Sequence, residues 1–173
     1  MNQKLKPMIY VACLAAYNAG TLHGEWIAAT QDVDSLHQEV QEILKQSPER
    51  FAEEWAIHDY EGFGNVRIEE YQSLSEVSRI ALLIEEHGEA FAAYAAHVGT
   101  ESATEESFED AYRGHWDSEL AYAQDLFDEI YADEVPESLR FYIDYEAFSR
   151  DIFLDGHFIV RSSDFGVHVF ADA

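Results

Sequence analysis

The sequence predicts an α+β protein made of three small consecutive units: a small sheet with helices, a helical unit, and a second small sheet with helices. Three observations predict it. Strand-like runs lie near the two ends of the chain, each close to helical periodicity. Residues 67–105 carry no strand signal and repeat apolar residues at helical spacing. The 47% hydrophobic and 14% aromatic content supplies a packed core in spite of a formal net charge of −25 over 173 residues. The expected boundaries are 1–66, 67–106 and 107–173.

Met8–Leu14 is rich in strand formers and Tyr17-Asn18-Ala19-Gly20 is a turn signal. Leu22–Ala28 then reads as the second strand of a hairpin. Ser35, with Gln38 three residues on, resembles a capping box before the apolar stripe Leu36, Val40, Ile43 and Leu44. Ser47-Pro48 is expected to open a short second helix. Ala56–Tyr60 reads as a strand closed by Gly62 and Gly64. Val77, Ile80, Ala81 and Ile84 mark a helix over Ser75–Glu86, stopped at Gly88, and Glu89–Val98 is an alanine-rich helix ended by Gly99. A further short helix is expected to start at Thr104.

Ser107–Trp116 reads as a return to alternation. Asp117 or Ser118 caps the next helix, in which Leu120, Ala123, Leu126, Phe127, Ile130 and Tyr131 form one face. Asp117, Asp125, Asp128, Glu129 and Asp133 occupy the other. Pro136 is expected to start a helix running through Leu139, Tyr142, Ile143 and Ala147. The predicted closing strands are Ile152–Leu154, Phe158–Arg161 and Val167–Phe170, with turns at Asp155-Gly156 and Asp164–Gly166.

The charge is spread rather than gathered in a tail. Residues 1–66 hold −6, residues 67–110 hold −9 and residues 111–173 hold −10. Such a field excludes unaided binding to nucleic acid and favours cationic partners, or proteins whose own grooves are basic. The single cysteine, Cys13, forms no internal disulfide, which fits a reducing cytoplasm. Lys4 and Lys6 before Met8–Ala16 loosely resemble a secretion signal, yet the run reads better as a buried first strand. No stretch reaches the roughly 18 apolar residues of a membrane span.

Catalytic constellations are not apparent. His58, Asp59 and Glu61 are the nearest thing to a metal-dependent hydrolase site. On a strand, however, His58 and Tyr60 face one side while Asp59 and Glu61 face the other. There is no phosphate loop, nucleophile elbow, zinc-peptidase pair or calcium loop. No enzyme activity, metal or cofactor is expected.

A charge of −25 equals that on about 40 Å of duplex DNA, at one charge per ~1.7 Å. The acidic face from Asp117 to Asp133 would span about 24 Å at the helical rise. Over that length one DNA strand shows about seven phosphates, against five acids here. A solvated acidic helix remains an alternative on this count alone.

Five strings in order carry a resemblance. They are Ile9–Ala12; Tyr17-Asn18-Ala19-Gly20-Thr21-Leu22-His23-Gly24-Glu25-Trp26; Glu53-Glu54-Trp55-Ala56-Ile57-His58-Asp59-Tyr60-Glu61; Phe108-Glu109-Asp110-Ala111-Tyr112-Arg113-Gly114; and the long run Glu134–Phe148, continuing through Ser149-Arg150-Asp151-Ile152. With these, the chain resembles the ArdA antirestriction proteins of plasmids, conjugative transposons and phages. The resemblance implies an elongated, curved homodimer joined through the third unit, copying bent B-form DNA. It implies a target, the DNA-binding groove in the methyltransferase core of type I restriction–modification enzymes, and protection of incoming mobile DNA in the bacterial cytoplasm. It implies neither catalysis nor a cofactor. The mimicry candidates are Asp117, Asp125, Asp128, Glu129, Asp133, Glu134 and Glu137, which cluster in sequence. The dimer candidates are Phe108, Ala111, Tyr112 and Trp116; burial in the monomer core is the competing reading for each. An acidic adaptor or chaperone for basic DNA-binding proteins is the alternative function.

Overall fold

The computed structural model describes residues 5–172, so Lys4 of the basic pair lies outside the described residues. Mixed α and β structure is present, with two three-stranded antiparallel sheets and eight helices among the described residues. The chain forms two compact units, one ending at Ala103 and one beginning at Thr104. Residues 67–103 of the expected helical section fall inside the first.

In the N-terminal unit, β1 (Met8–Cys13) is the central strand between β2 (Gly24–Ala28) and β3 (Trp55–Glu61). The expected turn after β1 contains a short helix, α1 (Leu14–Asn18), before Gly20 reverses the chain. The second strand starts later than expected, at Gly24, and leaves Leu22 exposed. Ile9 and Val11 are fully buried, and α2 (Val33–Lys45) packs on β1 and β2 through Leu36, Val40, Ile43 and Leu44. The cap of α2 is Asp32 rather than Ser35: its carboxylate accepts from Ser35 N at 2.9 Å and Ser35 Oγ at 2.7 Å. Those hydrogen bonds hold Asp32 below the usual carboxylate range.

The helix expected at Ser47-Pro48 is absent. Ser47 Oγ accepts from Glu49 N at 3.2 Å, and this local turn competes with a helical first turn. α3 (Leu74–His87) is capped by Ser73 and packs against α2 and against α4 (Glu89–Val98). Residues 90–95 of α4 are all buried, as suits a helix apolar on every side. Arg79 donates to the carbonyls of Ala103 and Thr100, both at 2.6 Å, fixing the chain that leaves α4.

The C-terminal unit opens with α5 (Glu105–Ala111), so the alternation read over Ser107–Trp116 holds only for β4 (Tyr112–Trp116). The reason is a reciprocal cap: Thr104 Oγ1 accepts from Ser107 N, and Ser107 Oγ accepts from Thr104 N, both at 3.0 Å. α6 (Glu119–Tyr131) is capped by Ser118, which accepts from Ala121 N at 3.1 Å. The helix expected after Pro136 is two elements, α7 (Glu137–Arg140) and α8 (Tyr145–Leu154). Asp144 divides them by accepting from Ala147 N at 2.9 Å as the cap of α8. Ile152–Leu154, expected as a strand, completes α8, where Ile152 and Phe153 pack on the core. β-branched propensity yields there to burial.

β6 (Val167–Ala171) is central between β4 and β5 (His157–Arg161). Residues 167–170 are all buried, because the sheet is covered on both faces. Val167 and Val169 pack with Tyr122, Trp116, Leu126, Phe153 and Ile159. Phe170 belongs to an aromatic layer, with ring centroids 4.9 Å from Phe158, 5.3 Å from Tyr112 and 6.3 Å from Phe108.

Candidate functional site

All seven acids singled out by sequence are exposed: Asp117, Asp125, Asp128, Glu129, Asp133, Glu134 and Glu137. They do not all ride on one helix. Asp125, Asp128 and Glu129 lie within α6, Asp117 precedes its cap and Asp133 follows its end. Glu134 lies in the link to α7 and Glu137 begins α7. The predicted apolar face of α6 is packed at Ala123, Leu126 and Phe127, joined by Tyr122, but not at its far end. Tyr122 and Ala123 are buried, while Ile130 and Tyr131 at the far end are exposed. Phe127 holds that half of the helix to α8 through rings of Tyr145 at 5.3 Å and Phe148 at 5.2 Å.

Among the described residues, none of these seven carboxylates has a lysine, arginine or histidine partner in an ion pair. Asp128 alone accepts a side-chain hydrogen bond, from Tyr145 Oη at 3.3 Å. Partial desolvation, then the Asp128 charge, hold the Tyr145 phenol above its ordinary range. Two cations of this unit, Arg140 and Arg113, donate to backbone carbonyls. Arg140 donates to the Ala132 carbonyl at 2.7 Å, at the end of α6, where a cation suits the helix dipole. Arg113 donates to the Asp110 carbonyl at 2.7 Å and to that of Tyr112 at 3.3 Å. Both guanidinium groups thus serve the backbone, and neither forms an ion pair with the seven acids. This feature is not legible in the sequence, since carbonyl acceptors have no residue code.

The candidates for dimer contact occupy different surroundings. Phe108 and Ala111 are buried on α5, and Phe108 stacks on Tyr112 at 5.1 Å. Tyr112 Oη is 3.0 Å from His168 Nδ1, and burial raises its phenol pKa. Trp116 Nε1 donates to the Arg113 carbonyl at 2.9 Å and its ring lies 5.4 Å from Tyr122. Both half-buried rings sit on β4, an edge strand of its sheet.

The hydrolase alternative finds no convergent ligand set in its three residues. His58 is half-buried with Tyr17 edge-on at 4.8 Å, whereas Asp59 and Glu61 are exposed on alternate positions of β3. His58 Nε2 instead lies 3.9 Å from a Glu70 oxygen. No helix among the described residues is long and apolar enough to cross a membrane.

A family model described as antirestriction protein (ArdA) matches residues 9–166, nearly the whole chain. The chain belongs to the ArdA antirestriction family. No curated protein matches it. Membership of the ArdA family makes the chain an antirestriction protein, with restriction–modification enzymes as its partners in general, and an inhibitor rather than an enzyme. Exposed carboxylates without cationic partners suit such a role, because they are available to a basic surface.

Proposed function

We propose that the protein inhibits type I restriction–modification enzymes by offering carboxylates where DNA offers phosphates. It occupies the DNA-binding groove of the methyltransferase core and so protects incoming mobile DNA in the bacterial cytoplasm. The observation that carries this reading is the pairing state of the acids: seven exposed carboxylates lack ion-pair partners among the described residues while Arg113 and Arg140 of the same unit donate to carbonyls. An exposed acid already paired to its own chain offers little to a partner; an unpaired one retains its full charge for a basic groove.

The working species in this reading is a homodimer joined through the C-terminal unit. The edge strand β4 supports it, since an edge presents unpaired backbone donors and acceptors to a second copy. Tyr112 and Trp116 then flank the contact, with Phe108 and Ala111 supporting the strand from within.

The deciding experiment mixes pure protein with a type I methyltransferase core and its target duplex. Competition between protein and duplex for one site is expected, together with higher plasmid transfer into restricting bacteria and no change in non-restricting ones. Binding that excess duplex leaves untouched overturns the groove model. Broad, salt-sensitive binding to unrelated basic proteins with no preference for the methyltransferase supports the adaptor function instead.

A further inference from the structure

A second feature lies in the N-terminal unit. A cavity of about 600 Å³ is lined by Leu14, His37, Glu53, Glu54, Trp55 and residues 71–75. This is the size range of small-ligand sites. Its apolar part comes from the buried Leu74 and the half-buried Leu14 and Trp55, and its rim carries the exposed Tyr71 ring. Among the described residues, no lysine or arginine lines it.

Most polar groups in the cavity are already engaged. Ser73 and Ser75 hydroxyls lie 3.1 Å apart, Gln72 Oε1 accepts from Glu69 N at 3.0 Å, and His37 Nδ1 is 2.8 Å from the Val33 carbonyl. The exposed carboxylates of Glu53 and Glu54 are left to serve an occupant. The Glu70 charge, then desolvation and a hydrogen bond with Glu70, and last the Glu54 charge, raise the Tyr71 phenol pKa.

We propose that this cavity receives a guanidinium side chain, an arginine of the protein partner, with the Trp55 and Tyr71 rings against its plane and Glu53 and Glu54 accepting its N–H groups. Each part of the lining answers one part of that ligand. Leu14 and Leu74 suit an alkyl stem. Aromatic faces attract a cation and stack on a planar guanidinium, and carboxylates match its fork of donors. An ammonium is a compact, strongly hydrated charge and uses the rings less well. The partner's identity rests on the reading above, because a groove that binds DNA is furnished with arginines. The cavity's preference for guanidinium does not.

The test is a titration of the full ¹⁵N-labelled chain with butylguanidinium and, separately, butylammonium at constant ionic strength. The indole N–H signal of Trp55, identified by its loss in Trp55→Phe, is followed beside those of Trp26 and Trp116. A saturable shift confined to Trp55 is expected, at least about tenfold tighter for the guanidinium, the size of one charge-assisted hydrogen bond. Glu53→Gln with Glu54→Gln abolishes it while the remaining spectrum stays folded. Equal shifts at all three indoles, or equal response to both cations, indicate diffuse counterion binding and overturn the proposal. In restriction protection, the Glu53→Gln/Glu54→Gln pair loses more than a charge-matched Glu25→Gln/Glu39→Gln pair. Equal losses overturn the arginine of the partner as occupant. A chain that saturates with butylguanidinium yet never competes with duplex for the methyltransferase leaves the cavity standing and refutes the groove model.

Discussion

Phe170→Ala separates an ordered acidic array from mere acidity. Phe170 is fully buried on the central strand of the C-terminal sheet, within ring contact of Phe158, Tyr112 and Phe108. Removing a buried phenyl ring costs about 3–5 kcal/mol, from lost transfer energy and the cavity left behind. The unit from Thr104 to the end is about 70 residues long. At roughly 0.05–0.15 kcal/mol per residue its stability is about 3.5–10 kcal/mol. One substitution therefore removes between a third and all of it. At about 4–8 °C per kcal/mol for a domain of this size, the melting temperature of the unit falls by at least about 12 °C. The charge of −25 is untouched, and so is every acid in the candidate surface. Circular dichroism and the Trp116 indole signal report melting of the C-terminal unit, while Trp26 and Trp55 report the other. Restriction protection measured above and below the new melting point then decides the matter. Protection is expected to vanish when the C-terminal unit melts. If the melted chain protects as well as the parent, charge alone suffices and the ordered array is refuted; if the unit melts within a few degrees of the parent, the packing argument is refuted.

Reversal to lysine of Asp117, Asp125, Glu129 and Asp133, introduced one at a time, is expected to weaken inhibition stepwise in a binding titration, because each exposed charge contributes weakly; loss of all activity at one step in a folded variant points to a localised site. Burial, then the Arg113 charge, hold the His157 imidazole below its ordinary pKa, so the folded unit favours the neutral ring. The stabilisation is complete above the unfolded value of about 6.5 and is lost as pH falls toward the folded one. Melting temperature is thus expected to fall more steeply between about pH 7.5 and 5 for the parent than for His157→Gln, and parallel curves contradict this. Gly166 turns the chain between β5 and β6 at φ +82°, and a Cβ there runs into the Trp116 carbonyl oxygen. Gly166→Ala is therefore expected to destabilise the C-terminal unit by about 1–3 kcal/mol in a urea melt.

Much of the local structure was written in short-range chemistry. Gly88 and Gly99 end α3 and α4 where the sequence places them, and Ser118 caps α6, one of the two caps expected. A cap or a helix stop is decided within a few residues, so it is legible in one dimension. The spread of charge along the chain is equally a property of sequence. Errors gathered where two local signals competed. Thr104 with Ser107 drew residues 105–111 into α5 against their alternation, and Asp144 broke the long helix expected after Pro136. Ile152–Leu154 has strand-forming residues yet is helical, and from α8 Ile152 and Phe153 pack on the cluster of Tyr122, Val167 and Val169.

Sequence by itself determined the mixed fold, the family and the presence of acids in excess of cations. It did so through periodicity, caps and composition, all short-range or additive quantities. Only the folded structure shows which carbonyls engage arginines: those held by Arg79 lie 21 and 24 residues away in sequence, and a carbonyl is identical in every residue type. Folding likewise gathered Leu14, Glu53, Glu54, Trp55, Tyr71 and Leu74 around one cavity from three separated segments. Proximity between distant segments is set by how helices and sheets bury their apolar faces together, and no local pattern encodes it.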